Sequence, residues 1–325
     1  MSRIITSIVI LLFPLIAFCA PIKFRFASKA EGQQLKTEDT AYYNRLSQTD
    51  IDWRMRKENA TLEEYIAYCA EQVEDFSTEE IKAVTDAMAT IEDKLNSLGC
   101  QPPVPDEIVF IKTTMKEEGG ANAYTLKNQI FLGSECLNSV QLTGTLAHEL
   151  FHCISRHSPE LRRKMYALIG FTVMDEEIDF PQDVRERIIA NPDVERIDNY
   201  GTFTIEGKKR RCALVTVYTQ TWSEAYAKQK DSATFFGNLD IVLMPLDDLN
   251  ASYSLMYNDK DYVPDLWSQV GENTYYLLAP EECMADNFSY AIVPTKPREQ
   301  YKTPKLLKKI IKTLKKNKKS SWIKN

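Results

Sequence analysis

Histidine is scarce in this chain: His148, His152 and His157 are the only three in 325 residues, and all lie within ten positions. So tight a cluster of so rare a residue points to one local use. There is no Cys-x-x-Cys pair, which excludes a zinc ribbon and a thioredoxin-type redox site. Internal repeats are absent, and so are low-complexity tracts before the last thirty residues. Net positive charge is confined to the C-terminal tail. Residues 296–325 hold eleven Lys, Arg298 and one acid, Glu299, a net of +11, so the rest carries −17 of the overall −6. An acidic body repels phosphate, and nucleic acid is excluded as the main partner.

What is present is enough for a sizeable core. The apolar fraction is 44%, ordinary for a globular protein, and the length fits one large domain or two modest ones. The first nineteen residues read as an export signal. Arg3 supplies the positive start, Ile4 to Ala17 is apolar apart from Thr6, Ser7 and Pro14, and Ala17-Phe18-Cys19 offers a cleavage site. The run is short for a membrane span of about 20 residues, and Pro14 would kink it. The expected location is therefore outside the cytoplasm: periplasmic, envelope-associated or secreted. Cleavage after Cys19 leaves six cysteines, an even number that fits disulfides in an oxidising compartment. That several of them are free, buried small hydrophobes fits a domain of this size equally well.

Along the chain, residues 20–58 show no clear period and are expected to form an arm. Leu62, Tyr65, Ile66, Cys69 and Val73 mark an amphipathic helix. Ser77 and Glu80 make a capping box for a second helix that Gly99 ends. Ile108 to Ile111 reads as a buried strand, and the stretches around Tyr124 and Gln129–Gly133 as a hairpin before the histidine helix. Asn138 or Ser139 can cap that helix, with Val140, Leu146, Leu150 and Ile154 as its buried stripe. Strands are expected at 211–219 and Leu239–Met244, and Pro280 opens a late helix. The domain body is assigned to 59–295 and a basic tail to 296–325. In that tail Leu306, Leu307, Ile310, Ile311 and Leu314 recur at helical spacing between lysines over 302–319. Such a stripe fits an anionic membrane surface or another acidic face, this protein's own body included.

The chemistry centres on His148-Glu149-Leu150-Phe151-His152. On a helix the two histidines lie one turn apart on one face and can share a Zn2+, with Glu149 in reach of a metal-bound water. A catalytic zinc takes a third protein ligand. His157, five residues on, is rotated by about 140° from that face at 3.6 residues per turn. Glu282 and Asp286 lie four apart on the late helix, so one carboxylate can bind metal while the other orients a histidine. Glu281 suits a first-turn role beside the helix dipole, yet it stays open as the third ligand alongside Glu282.

These residues resemble the gluzincin branch of the zincin metallopeptidases. Glu282-Cys283-Met284-Ala285-Asp286 matches the downstream Glu-x-x-x-Asp of that branch, and Gly120-Ala121-Asn122-Ala123-Tyr124 is similar to the start of its substrate-pairing edge strand. The resemblance covers roughly 105–157 and 278–292. The 130 residues between His152 and Glu282 exceed the compact cases, and 171–277 has no counterpart. The resemblance implies an α+β, zincin-like fold: a small mixed sheet with an edge strand over the motif helix, then a mainly helical C-terminal half. It implies a Zn2+ held by His148, His152 and Glu282, with Asp286 behind them and Glu149 as general base. It also implies peptide hydrolysis, with substrate held along Asn122, Ala123 and Tyr124. Tyr200, Tyr275, Tyr290 and His157 are all candidates to stabilise the oxyanion. The alternative is a zincin-fold metal- or peptide-binding envelope or surface protein without peptidase activity. An intact Glu149 favours the enzyme, since a binding protein needs no base.

Overall fold

The computed structural model describes residues 21–251, 253–254 and 263–315. The leader expected at 1–19 and the end of the tail from 316 lie outside the described residues. No helix among the described residues is long and apolar enough to cross a membrane.

The fold is α+β with two five-stranded sheets. The first is mixed and built from β1 (Phe24–Phe26), β2 (Val73–Glu74), β3 (Ile108–Thr113), β4 (Ala123–Leu126) and β5 (Gln129–Gly133). Its order is β1-β3-β5-β4, with β2 on β3. β1, β3 and β5 run parallel, and β4 returns antiparallel to β5 as the edge strand. Both faces of β3 are covered. Ile108 and Phe110 join the larger core with Met88, Ile91, Leu146 and Leu150. Val109 and Ile111 join a second cluster with Tyr65, Tyr124 and Phe131. Burial on both faces is why β3 reads as an unbroken apolar run.

The second sheet, β10-β9-β8-β7-β6, is antiparallel throughout. It comprises β6 (Phe171–Val173), β7 (Asn199–Ile205), β8 (Lys208–Tyr218), β9 (Leu239–Pro245) and β10 (Tyr253–Ser254). It corrects the expectation of a mainly helical C-terminal half, because its five strands are spread over 171–254. The strands expected near 211–219 and 239–244 are β8 and β9.

Residues 20–58 are not an arm. β1 pairs with β3 inside the first sheet, and the helices Lys29–Thr37 and Gln48–Met55 bury Lys36, Trp53 and Arg54. The period was hidden because this segment buries charged and aromatic side chains rather than an aliphatic stripe. Arg54 pairs with Asp50 and Glu118 at 2.8 and 2.9 Å. Of the surfaces open to the tail helix, its apolar stripe lies on this protein's own body. Helix Pro304–Leu314 packs Leu306, Leu307, Ile310 and Leu314 into the main core. Its apolar face is covered by this chain, and Lys308, Lys309 and Lys312 remain outside. The six described cysteines are all buried, and none of them forms a disulfide.

Candidate metal centre

The histidine helix spans Leu142–His157. Leu146, Leu150 and Ile154 are fully buried and fix it on the core. Its start differs from expectation: Gln141 is the N-cap without a side-chain hydrogen bond, Asn138 and Ser139 lie in the preceding turn, and Val140 is exposed. Helix Pro280–Ile292 crosses it, with Phe288 against Phe151 at 5.2 Å between ring centroids and Ser289 Oγ donating to Gly144 O at 2.8 Å. This crossing brings residues 130 apart in sequence into one cluster.

Within the cluster, Glu282 Oε2 lies 3.0 Å from His148 Nε2 and 3.6 Å from His152 Nε2. Donor atoms of these three residues all lie within 4.8 Å of one another. His148 Nδ1 lies 2.8 Å from Asp286 Oδ1, and Asp286 Oδ2 accepts from Thr274 Oγ1 at 2.5 Å. Glu282 Oε1 accepts from Asn191 Nδ2 at 2.6 Å. His152 is 1% exposed, yet neither of its ring nitrogens has a hydrogen-bond partner. A buried polar group left unpaired costs about 1–3 kcal/mol. A cation shared by the two Nε2 atoms and Glu282 would satisfy that imidazole, so the donor set fits a zinc ion.

Glu149 is 3% exposed, and its Oε2 accepts from Thr125 Oγ1 at 2.7 Å. Burial pushes its pKa up to about 7, against the opposing pull of His148 and the Thr125 hydrogen bond. Burial opposes a charge on His148, but its hydrogen bonds to Asp286 and Glu282 prevail and its pKa is raised. At Glu282 the hydrogen bond to His148 and then the nearness of His152 outweigh burial and hold its pKa well below the usual carboxylate range.

The cluster opens into a cleft of about 990 Å3 lined by Gly120, Asn122, Ala123, His148, Glu149 and Tyr276, among others. Asn122 is exposed and Ala123 half-buried at its rim. Tyr124 departs from its expected role. Its side chain turns to the core, stacks on Phe131, accepts from Lys36 Nζ and donates to Glu117 Oε1. Only its backbone belongs to the edge strand. Glu281 is no solvated cap: it is buried, 2.9 Å from Arg162 and hydrogen-bonded by Asn199. That pairing holds it away from the histidines and leaves Glu282 as the carboxylate at the cluster. His157 is exposed at the helix end and takes no part.

Four participants escaped the sequence reading. Thr125 orients Glu149, and Asn191 holds Glu282. Asp193 forms a second candidate donor group with Glu149 and His152. Tyr276 faces His148 at 6.0 Å between ring centroids, whereas neighbouring Tyr275 bonds Lys302. The signal for Asp193 was a bare loop sequence, Asn191-Pro192-Asp193. Nothing in its spacing from the motif shows that it returns to the cluster.

The chain matches no protein-family model, no curated protein and no solved structure.

Proposed function

We propose that the chain is an exported, zinc-dependent peptidase with a zincin-like site, in keeping with the gluzincin resemblance of its motifs. The observation that carries this reading is the convergence of His148, His152 and Glu282, with the buried His152 imidazole left with two unpaired nitrogens, beside the Glu149 carboxylate that Thr125 holds. His148 and His152 would hold the metal through Nε2, and Glu282 through a carboxylate oxygen. When bound there, Zn2+ supplies Lewis-acid polarisation of a carbonyl and lowers the pKa of water to about 7.

The chain's own groups do the rest. Asp286 accepts the Nδ1 proton of His148, which fixes the tautomer and leaves Nε2 as the donor lone pair. Thr125 donates to one oxygen of Glu149, so the carboxylate is held in place to take a proton from water and pass it to the leaving amine. Edge strand β4 offers its backbone to an extended peptide. Tyr276 stands beside His148 as an oxyanion donor. Desolvation and then the carboxylates of Glu282, Asp193, Glu149 and Asp286 raise its pKa, which keeps the hydroxyl protonated.

Zinc content and peptide cleavage of the wild type and of Glu149→Gln test this. The variant should retain zinc and lose cleavage by about 10²- to 10⁴-fold. A wild type that binds no zinc, or a variant that cleaves as fast, would sink the proposal.

A further inference from the structure

The outer rim of β4 is closed at one end. Thr125 N donates to Asp193 Oδ1 at 2.7 Å, and Thr125 O accepts from Arg156 Nη1 at 3.0 Å. Arg156 Nη2 also donates to Pro192 O at 2.9 Å, tying the 191–193 loop to the rim. Both outward backbone groups of Thr125 are therefore occupied. Ala123, two residues earlier on the same edge, turns its N–H and C=O the same way. Consistently, the inward face of the strand is marked by Gly133 N donating to Asn122 O at 3.1 Å. Ala123 lines the open cleft, and Asp193 lines a small adjoining pocket whose walls also include Ala123 and Tyr276.

With one residue offering both groups, antiparallel pairing is favoured, because a single ligand residue exchanges both bonds with Ala123. Antiparallel pairing points the ligand's N-terminal end toward Thr125. Glu149 stands at the level of Thr125 through the 2.7 Å hydrogen bond. The bond to be cut then lies just short of the closed end, with room beyond it for about one residue at roughly 3.4 Å each. The wall at that point is Asp193. It is 8% exposed, and its one ion pair among the described residues is with His152 at 3.9 Å. Among the described residues no Lys or Arg forms an ion pair with this carboxylate.

Building on the peptidase reading, we propose that the closed end is a subsite for a free α-ammonium group. Asp193 binds that group, and the chain is an aminopeptidase acting on unblocked peptides. The reaction removes the first residue. The amide C–N bond breaks, the water oxygen joins the carbonyl carbon, and the new amine leaves with the proton that Glu149 took from the water.

The test uses the full chain loaded with zinc, a pentapeptide with a free amino terminus, and the same peptide N-acetylated. Product masses should show loss of the first residue from the free peptide. The acetylated form should react slower by at least about tenfold, the value of a lost charged hydrogen bond. Asp193→Asn keeps an acceptor for Thr125 N but loses the charge. It should erase most of that preference with zinc content unchanged. Arg156→Ala, which frees Thr125 O, should raise cleavage of the acetylated peptide. Calorimetry on the zinc-free protein, with the corresponding free and acetylated tripeptides, gives a readout independent of turnover. The free form should bind tighter, and Asp193→Asn should remove the difference. Equal cleavage and equal binding of free and acetylated peptides would overturn the subsite while leaving the peptidase intact. Zinc loss in Asp193→Asn would also overturn it, by making Asp193 a metal ligand. If no peptide is cleaved but calorimetry still shows the preference, the peptidase reading fails and the ammonium subsite stands.

Discussion

His148 is held from both sides: its Nδ1 lies 2.8 Å from Asp286 Oδ1 while its Nε2 faces Glu282 Oε2 at 3.0 Å. Only one of these two carboxylates is placed to share a cation with His152, so their substitutions should differ in kind. Glu282→Gln should leave the purified protein nearly zinc-free. Asp286→Asn should retain the site but weaken it by about 10- to 100-fold, the usual cost of losing an orienting partner. Competition with a chelator of known affinity measures both. Equal effects from the two variants would show that the roles are wrongly divided.

Thr125 and Glu149 give a second test. The Thr125 hydrogen bond lowers the pKa of Glu149 against the upward push of burial. In Thr125→Val that support is lost and the pKa rises further. A base must be ionised to act, so the acidic limb of the kcat/KM profile should move to higher pH, while the rate on the plateau falls less than in Glu149→Gln. An unchanged acidic limb would place Thr125 outside the chemistry.

The site also predicts how pH and metal trade against each other. In the metal-free protein Glu149 has its pKa raised from 4.5 to about 7, and His148 is raised above 6.5. For a raised pKa, the stabilising contribution is complete below the unfolded value and disappears as pH climbs through the folded one. Both groups therefore favour the metal-free fold in acid. Glu149 loses that contribution as pH climbs through about 7, and His148 only as pH climbs through its own raised value. Glu282, with a lowered pKa, contributes above 4.5 and loses this only in stronger acid. Zinc needs deprotonated ligands, so its binding strengthens over the same interval. The rise in Tm on adding zinc should be larger at pH 8 than at pH 5.5 by scanning calorimetry. A constant increment would contradict the proton competition.

Much of this centre was legible because its chemistry is local. His148, Glu149 and His152 share one helix, and Glu282 and Asp286 share another, so helical spacing alone sets each pair on one face. Asp193, Asn191 and Thr125 were not legible, since they come from a loop and an edge strand whose approach depends on tertiary packing. In the fold, β3 and β5 were readable as apolar runs covered on both faces. β6 and β7 were not. Thr172, Thr202 and Thr204 interrupt the apolar residues, and β7 and β8 end in polar turn residues, Glu206 and Gly207. Residues 20–58 misled for another reason: beside the aromatic Tyr42 and Trp53 they bury Arg54 and Lys36, charged types normally found at surfaces.

The cysteines yield a simple check. Cys69, Cys100, Cys136, Cys153, Cys212 and Cys283 are all buried, and none of them forms a disulfide. Burial raises the pKa of several of these thiols, Cys136 and Cys153 to about 12, so little reactive thiolate forms. Adding a reductant to the folded protein should leave its urea midpoint unchanged. A drop in the midpoint would reveal a disulfide.

The C-terminal helix separates docking on the body from attachment elsewhere. Leu307 and Ile310 are fully buried, and Leu306 and Leu314 nearly so, all within the main core. The end of the helix is also tied by Gln101 N donating to Leu314 O at 3.1 Å. Ile310→Ala should therefore cost about 2–5 kcal/mol, as for other buried aliphatic truncations. Lys309→Gln on the exposed face should change stability by no more than about 0.5 kcal/mol. Urea unfolding of the two variants decides the matter. A silent Ile310→Ala would mean that the helix is not part of the core, and that its apolar stripe is free for a membrane surface after all.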